Sequence, residues 1–95
     1  MKVSILYHPE SDHARAVTDF VRDYNHVTNK DVELISLETP DGAHLAKLYD
    51  VTNYPAVLAV ADDGHLLKVW QGEVLPLMNE VSYYAQGEED AGTRL

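Results

Sequence analysis

Ninety-five residues are enough for one domain and too few for two, and a hydrophobic content of 45% argues for a packed core rather than disorder. Sixteen acidic against seven basic side chains give a formal charge of −9, which sets the chain against nucleic acid and anionic membrane surfaces, because both are held through clustered Lys and Arg. There is no cysteine, which excludes disulfides, thiolate nucleophiles, thiolate zinc sites and cysteine-held iron–sulfur clusters.

Val3, Ile5 and Tyr7 alternate with Ser4 and Leu6 and predict an opening strand. The stretch His8-Pro9-Glu10-Ser11 breaks it, since a proline pushes the residue before it into extended geometry. Ser11 or Asp12 is the predicted N-cap of a first helix, its side-chain oxygen meeting an orphan amide. Ala14, Val17, Phe20, Val21 and Tyr24 then recur at helical spacing, one apolar stripe on about three turns. Asn29-Lys30-Asp31 is turn chemistry ahead of a second strand, Val32 to Leu37. Thr39 followed by Pro40 reads as an N-cap and a first helical residue, opening a short second helix through Ala43, Ala46, Leu48 and Tyr49 to about Asp50. Gly42 in its first turn counts against that helix on propensity.

After Val51-Thr52-Asn53-Tyr54-Pro55, the run Ala56 to Ala61 is apolar throughout, as suits a strand buried on both faces. Asp62-Asp63-Gly64 predicts a tight hairpin turn, with His65 to Trp70 as the return strand and an interruption at Gly72. Leu75-Pro76 opens a last helix with Leu77, Met78, Val81, Tyr84 and Ala85 inward. Tyr83 and Tyr84 are adjacent, so one of them must face away from the core. The acidic, aperiodic segment Gly87 to Leu95 predicts a disordered tail, leaving residues 1–86 as the domain.

The order βαβαββα predicts an α/β fold, a four-stranded mixed sheet with helices on both faces. Both βαβ connections are long enough for right-handed parallel crossovers, and the closing hairpin is antiparallel. No apolar run reaches the roughly 18 residues of a membrane span, and the apolar N-terminal stretch is too short for a signal peptide. A cytoplasmic protein is therefore expected.

Three local features resemble the thioredoxin superfamily, with a layout similar to its glutaredoxin-like members, and the likeness runs from Lys2 to Gln86. A strand ending in Tyr7 passes through a proline-containing loop into a helix. The segment Val51-Thr52-Asn53-Tyr54-Pro55-Ala56-Val57 resembles the family's approach to its cis-proline and third strand. Asp63-Gly64, a strand and Gly72 resemble the hairpin that closes its sheet. On this resemblance Ser11-Asp12-His13-Ala14 stands where the family carries Cys-x-x-Cys. Serine cannot inherit the cysteine's work, because a helix N-terminus lowers a pKa by a few units at most and a hydroxyl starts far above neutrality. The resemblance further implies a cis Tyr54–Pro55 bond, with Tyr54 offering its amide and carbonyl to an extended peptide. Pro55 has a second reading, in which it only shapes its loop.

The same residues offer other chemistry. Ser11, Asp12 and His13 contain the types of a hydrolytic triad, but neighbours one and two apart on a helix point to different faces. His8, Glu10, Asp12 and His13 offer nitrogen and oxygen ligands in no recognised metal spacing, so ordinary solvated and capping roles are expected, with no metal and no cofactor. The expected function is a redox-inactive binding or adaptor module, not an enzyme. Its groove is formed by His8, Pro9, Glu10, Ser11, Asp12, His13, Tyr54 and Pro55, and its partner is a protein or peptide. The alternatives are a homo-oligomer, a homodimer through the last helix for instance, and a non-thiol or metal enzyme using the loop histidines and carboxylates.

Overall fold

In β1 (Lys2–Tyr7) alternate side chains point to opposite faces, and the sequence supplies apolar residues on both. Val3 and Ile5 enter one core and Leu6 the other, which places β1 in the middle of the sheet. The computed structural model describes residues 1–72 and 75–84. Its sheet has four strands in the order β2-β1-β3-β4, with β2 (Val32–Ser36), β3 (Ala56–Val60) and β4 (Leu66–Gln71). β1 pairs with β2 in parallel and with β3 antiparallel, and β3 pairs with β4 antiparallel. A register shift at Ala59/Val60 marks a bulge near the hairpin.

Only the first crossover is parallel. The connection between β2 and β3 was expected to be parallel too, but β3 runs against both β1 and β2. Helix α2 (Pro40–Leu48) has nine residues and is followed by irregular chain to Pro55, enough to bring β3 back in the opposite direction.

Two cores lie on the two faces of the sheet. Helix α1 (Ala14–Thr28) and helix α3, described over 78–84, cover the face where Val3, Ile5 and Val57 meet Val17, Tyr24 and Val81. Helix α2 covers the other, where Leu6, Ala56 and Leu58 meet Ala46 and Val51. The apolar run of β3 is thus buried on both sides, as a central strand requires. Leu77, expected inward, is exposed because it precedes α3, whose inward residue is Val81. Of the tyrosine pair, Tyr83 faces solvent and Tyr84 packs edge-on against Trp70. Ala85, the end of the domain at residue 86 and the tail from Gly87 lie outside the described residues.

Helix boundaries follow local chemistry. The Thr39 hydroxyl caps α2, accepting from the Gly42 amide at 3.1 Å and donating to the Ser36 carbonyl at 2.7 Å. Gly42 belongs there for a reason that propensity misses. A Cβ on it would stand 2.0 Å from the Ser36 carbonyl oxygen, so the first turn of α2 lies directly on the end of β2. The α1 cap differs from expectation: the N-cap is His13, with no side-chain capping bond, rather than Ser11 or Asp12. Ser11 instead folds back on the loop, its amide and hydroxyl both donating to the His8 carbonyl, at 3.1 and 2.7 Å.

Candidate functional site

The loop between β1 and α1 closes on itself through backbone geometry. The Ser11 amide reaches the His8 carbonyl, the Ala14 amide reaches the Ser11 carbonyl at 3.1 Å, and the Val17 amide reaches the His13 carbonyl at 3.1 Å, starting the helix. The His8 amide donates to Nε2 of His13 at 3.1 Å, so this imidazole serves as an acceptor for the loop. The His8 ring meets Tyr54 edge-on, centroids 5.5 Å apart, and lies 6.2 Å from the ring of His13. His8, His13 and Tyr54 are all half-buried and form one cluster at the C-terminal end of β1.

Tyr54 is held from three sides. Its hydroxyl donates to the Val51 carbonyl at 3.2 Å. Ahead of it, the amides of Thr52 and Asn53 both donate to the side-chain oxygen of Gln71, at 2.9 and 3.1 Å. Behind it, the Pro55 carbonyl accepts the Gly72 amide at 3.0 Å, and the Tyr54–Pro55 peptide bond is cis. Tyr54 itself lies outside the ladder, and its own amide and carbonyl make no hydrogen bond among the described residues.

Beside this cluster a depression of about 330 Å³ opens onto α2. Leu37, Ala43, Ala46 and Val51 give it an apolar floor, with His8, Tyr54 and Lys47 at the rim. Ala43 and Ala46 stand three apart on one helix face, a spacing already visible in the sequence. Gln71 carried no sequence signal, because its contact depends on how β4 packs against a loop almost twenty residues away. Lys47 likewise reaches the rim only through the placement of α2.

Of the eight residues read from the sequence, the structure gathers His8, Ser11, His13, Tyr54 and the buried Pro55. Pro9, Glu10 and Asp12 are exposed, and the side chains of Glu10 and Asp12 make no hydrogen bond or ion pair among the described residues. The arrangement is not a hydrolytic relay. The Ser11 hydroxyl is directed to a backbone carbonyl, and Nε2 of His13 is occupied by a backbone amide. Among the described residues no three His, Asp or Glu gather closely enough to hold a metal ion. None of their helices is long and apolar enough to cross a membrane.

A strand running through this loop into α1, the Tyr54–Pro55 turn beside it and the antiparallel closing hairpin together decide the architecture. The fold is thioredoxin-like. Thioredoxin 1 of Thermosipho africanus superposes with a TM-score of 0.67 at 13% identity, over 94% of this chain and 99% of that one. The oxidised mitochondrial thioredoxin 3 of Saccharomyces cerevisiae gives 0.58 at 17% identity, over 93% and 76%. A thioredoxin from Thermus thermophilus gives 0.53 at 16%, over 98% and 75%. No protein-family model and no curated protein matches the sequence. At these identities the likeness establishes the thioredoxin-like fold alone, and the absence of cysteine means that no thiol–disulfide exchange runs through this chain's own side chains.

Proposed function

We propose that this chain is a non-enzymatic binding module that takes an extended protein or peptide segment in the groove between the His8–His13 loop and Tyr54. One observation carries the reading. Tyr54 presents an amide and a carbonyl without partners among the described residues, at the lip of an apolar depression, in a loop fixed on both flanks. Unpaired backbone groups beside an apolar floor suit a strand that adds main-chain hydrogen bonds and lays a side chain on Leu37, Ala46 and Val51. The mechanism is recognition by shape and backbone bonding, with no covalent step. A cytoplasmic setting is consistent with this role and forms part of the proposal.

The test is affinity capture with the wild-type chain beside a His8→Ala/Tyr54→Ala variant, both first checked for folding. A partner retained by the wild type and lost by the variant, with amide shifts confined to residues 8–13 and 51–55, supports the groove. Equal retention by both removes it. A second reading, self-association through α3, draws on the exposure of Leu77 and Tyr83. It is separated from the first by solution mass.

A further inference from the structure

Among the described residues β2 ends the sheet, paired with β1 alone, and the direction of its free backbone groups follows from two contacts. The Leu37 amide donates to the Tyr7 carbonyl at 2.9 Å, so residues 33, 35 and 37 turn their amides and carbonyls toward β1. Ser36 belongs to the other set, and its carbonyl is taken by the amide and hydroxyl of Thr39. That leaves Val32 and Leu34 presenting their backbone groups to the open edge. Alongside runs a groove of about 460 Å³ between β2 and α2, in which Ile35 and Leu45 make the apolar part, with Leu34 on the strand's edge beside it.

We infer that this open edge of β2 docks a short, extended, basic peptide strand, held by the backbone of Val32 and Leu34 and by carboxylates on either side of the groove. Charge decides the occupant. Among the described residues Glu33, Asp41 and His44 are the titratable groups that line the groove and no Lys or Arg does, and from Asp31 to Asp41 the chain carries four acidic residues and no basic one. Glu33 is shared with Lys2, whereas Asp41 makes no ion pair among the described residues. A Lys or Arg on the added strand, directed to the α2 side, meets both carboxylates, while an apolar neighbour lies against Leu34. A second copy is the wrong occupant. Two β2 edges laid together would bring carboxylates against their own kind on chains already at −9. The edge is also short, because Thr39 closes it at Ser36, so the docked segment spans about five residues. This surface is separate from the groove at Tyr54 and does not depend on it.

The probe is a fluorescein-labelled Arg-Val-Arg-Val-Arg peptide on the full chain, read by anisotropy and by backbone amide shifts. Binding is expected with shifts centred on Val32 and Leu34, weakened by added salt. The Glu-Val-Glu-Val-Glu peptide and an Arg peptide N-methylated at alternate amides are expected to bind about ten-fold more weakly or worse. Asp41→Asn, which leaves β2 untouched, is expected to weaken the Arg peptide about three-fold. Four results overturn the inference: no binding of the Arg peptide, equal binding of the Glu or N-methylated peptide, shifts confined to the Tyr54 loop, or self-association of the chain through β2.

Discussion

Replacing Gly42 with alanine inverts the usual rule for a helix. On propensity alone Gly→Ala stabilises by about 1 kcal/mol. Here the three atoms nearest the new Cβ are all backbone: the Ser36 carbonyl oxygen at 2.0 Å, its carbon at 2.8 Å and Leu37 Cα at 3.1 Å. No side chain can swing aside, so the first turn of α2 must retreat by about 1 Å to reach even the 3.0 Å below which such contacts essentially never occur. That movement pulls on the Thr39 amide and hydroxyl bonds to Ser36 and on the Gly42 amide bond to Thr39, at 3.2, 2.7 and 3.1 Å. A hydrogen bond contributes about 1 kcal/mol net, and a lost threonine cap costs about 1 kcal/mol. Set against the gain in propensity, the balance is a destabilisation of about 2 kcal/mol, or roughly 8–16 °C in Tm for a domain of this length. The control is Ala43→Gly, one residue on and exposed, which should cost about 1 kcal/mol by propensity alone. Thermal and urea denaturation followed by circular dichroism should rank wild type above Ala43→Gly and Ala43→Gly above Gly42→Ala. A Gly42→Ala protein as stable as wild type would refute the close approach of α2 to β2.

Three further outcomes follow from other parts of the fold. Ser4 is buried in β1, and its hydroxyl makes no hydrogen bond among the described residues, so Ser4→Ala should raise stability by about 1 kcal/mol, read as a higher urea midpoint at unchanged slope. Leu58 is 1% exposed in the α2-side core, and Leu58→Ala should cost about 2–5 kcal/mol in the same assay, whereas a loss below 1 kcal/mol would mean that the core closes over the gap. Asp63 has its pKa lowered from 3.8, first by the His65 amide and then by the His65 ring. A depressed carboxylate pKa adds stability above its unfolded value that is lost as pH falls through the folded one. Asp63 is exposed and the effect is small, so the sharper readout is a carboxyl NMR titration, in which His65→Ala, which keeps the amide and removes the ring, should move the Asp63 midpoint part of the way up toward 3.8, and an unmoved midpoint would remove the ring as a cause and leave the amide.

Much of the fold was legible because burial leaves a period in the chain. The stripe Val17, Phe20, Val21, Tyr24 gave α1, the unbroken apolar run of β3 gave a strand buried on both faces, and Asp63-Gly64 gave the hairpin, where Gly64 has φ +96°. The direction of β3 was not legible, since an apolar run reads the same both ways and the connection from β2 permits either course. Gly42 was visible but carried the wrong sign, because propensity knows nothing of a neighbouring carbonyl. In the candidate site, His8 and Tyr54 were found through the resemblance of their segments. The cap at Ser11 or Asp12 failed because the loop turns inward on the His8 carbonyl, and the His13 ring serves a backbone amide instead of solvent. Contacts of that kind exist only after the chain has closed.

The side-chain oxygen of Gln71 has a consequence for the proposed groove. Two consecutive amides, Thr52 and Asn53, rest on that single atom, and the next residue, Gly72, holds the Pro55 carbonyl. The far edge of the sheet therefore immobilises the lip of the Tyr54 groove in the folded chain. Ordering a residue costs about 1–2 kcal/mol of conformational entropy, and for this loop that cost falls on folding rather than on association. On the proposed reading an arriving segment would meet a surface already in its bound shape, and replacing Gln71 would move that entropy loss to the moment of contact without removing any group the segment touches.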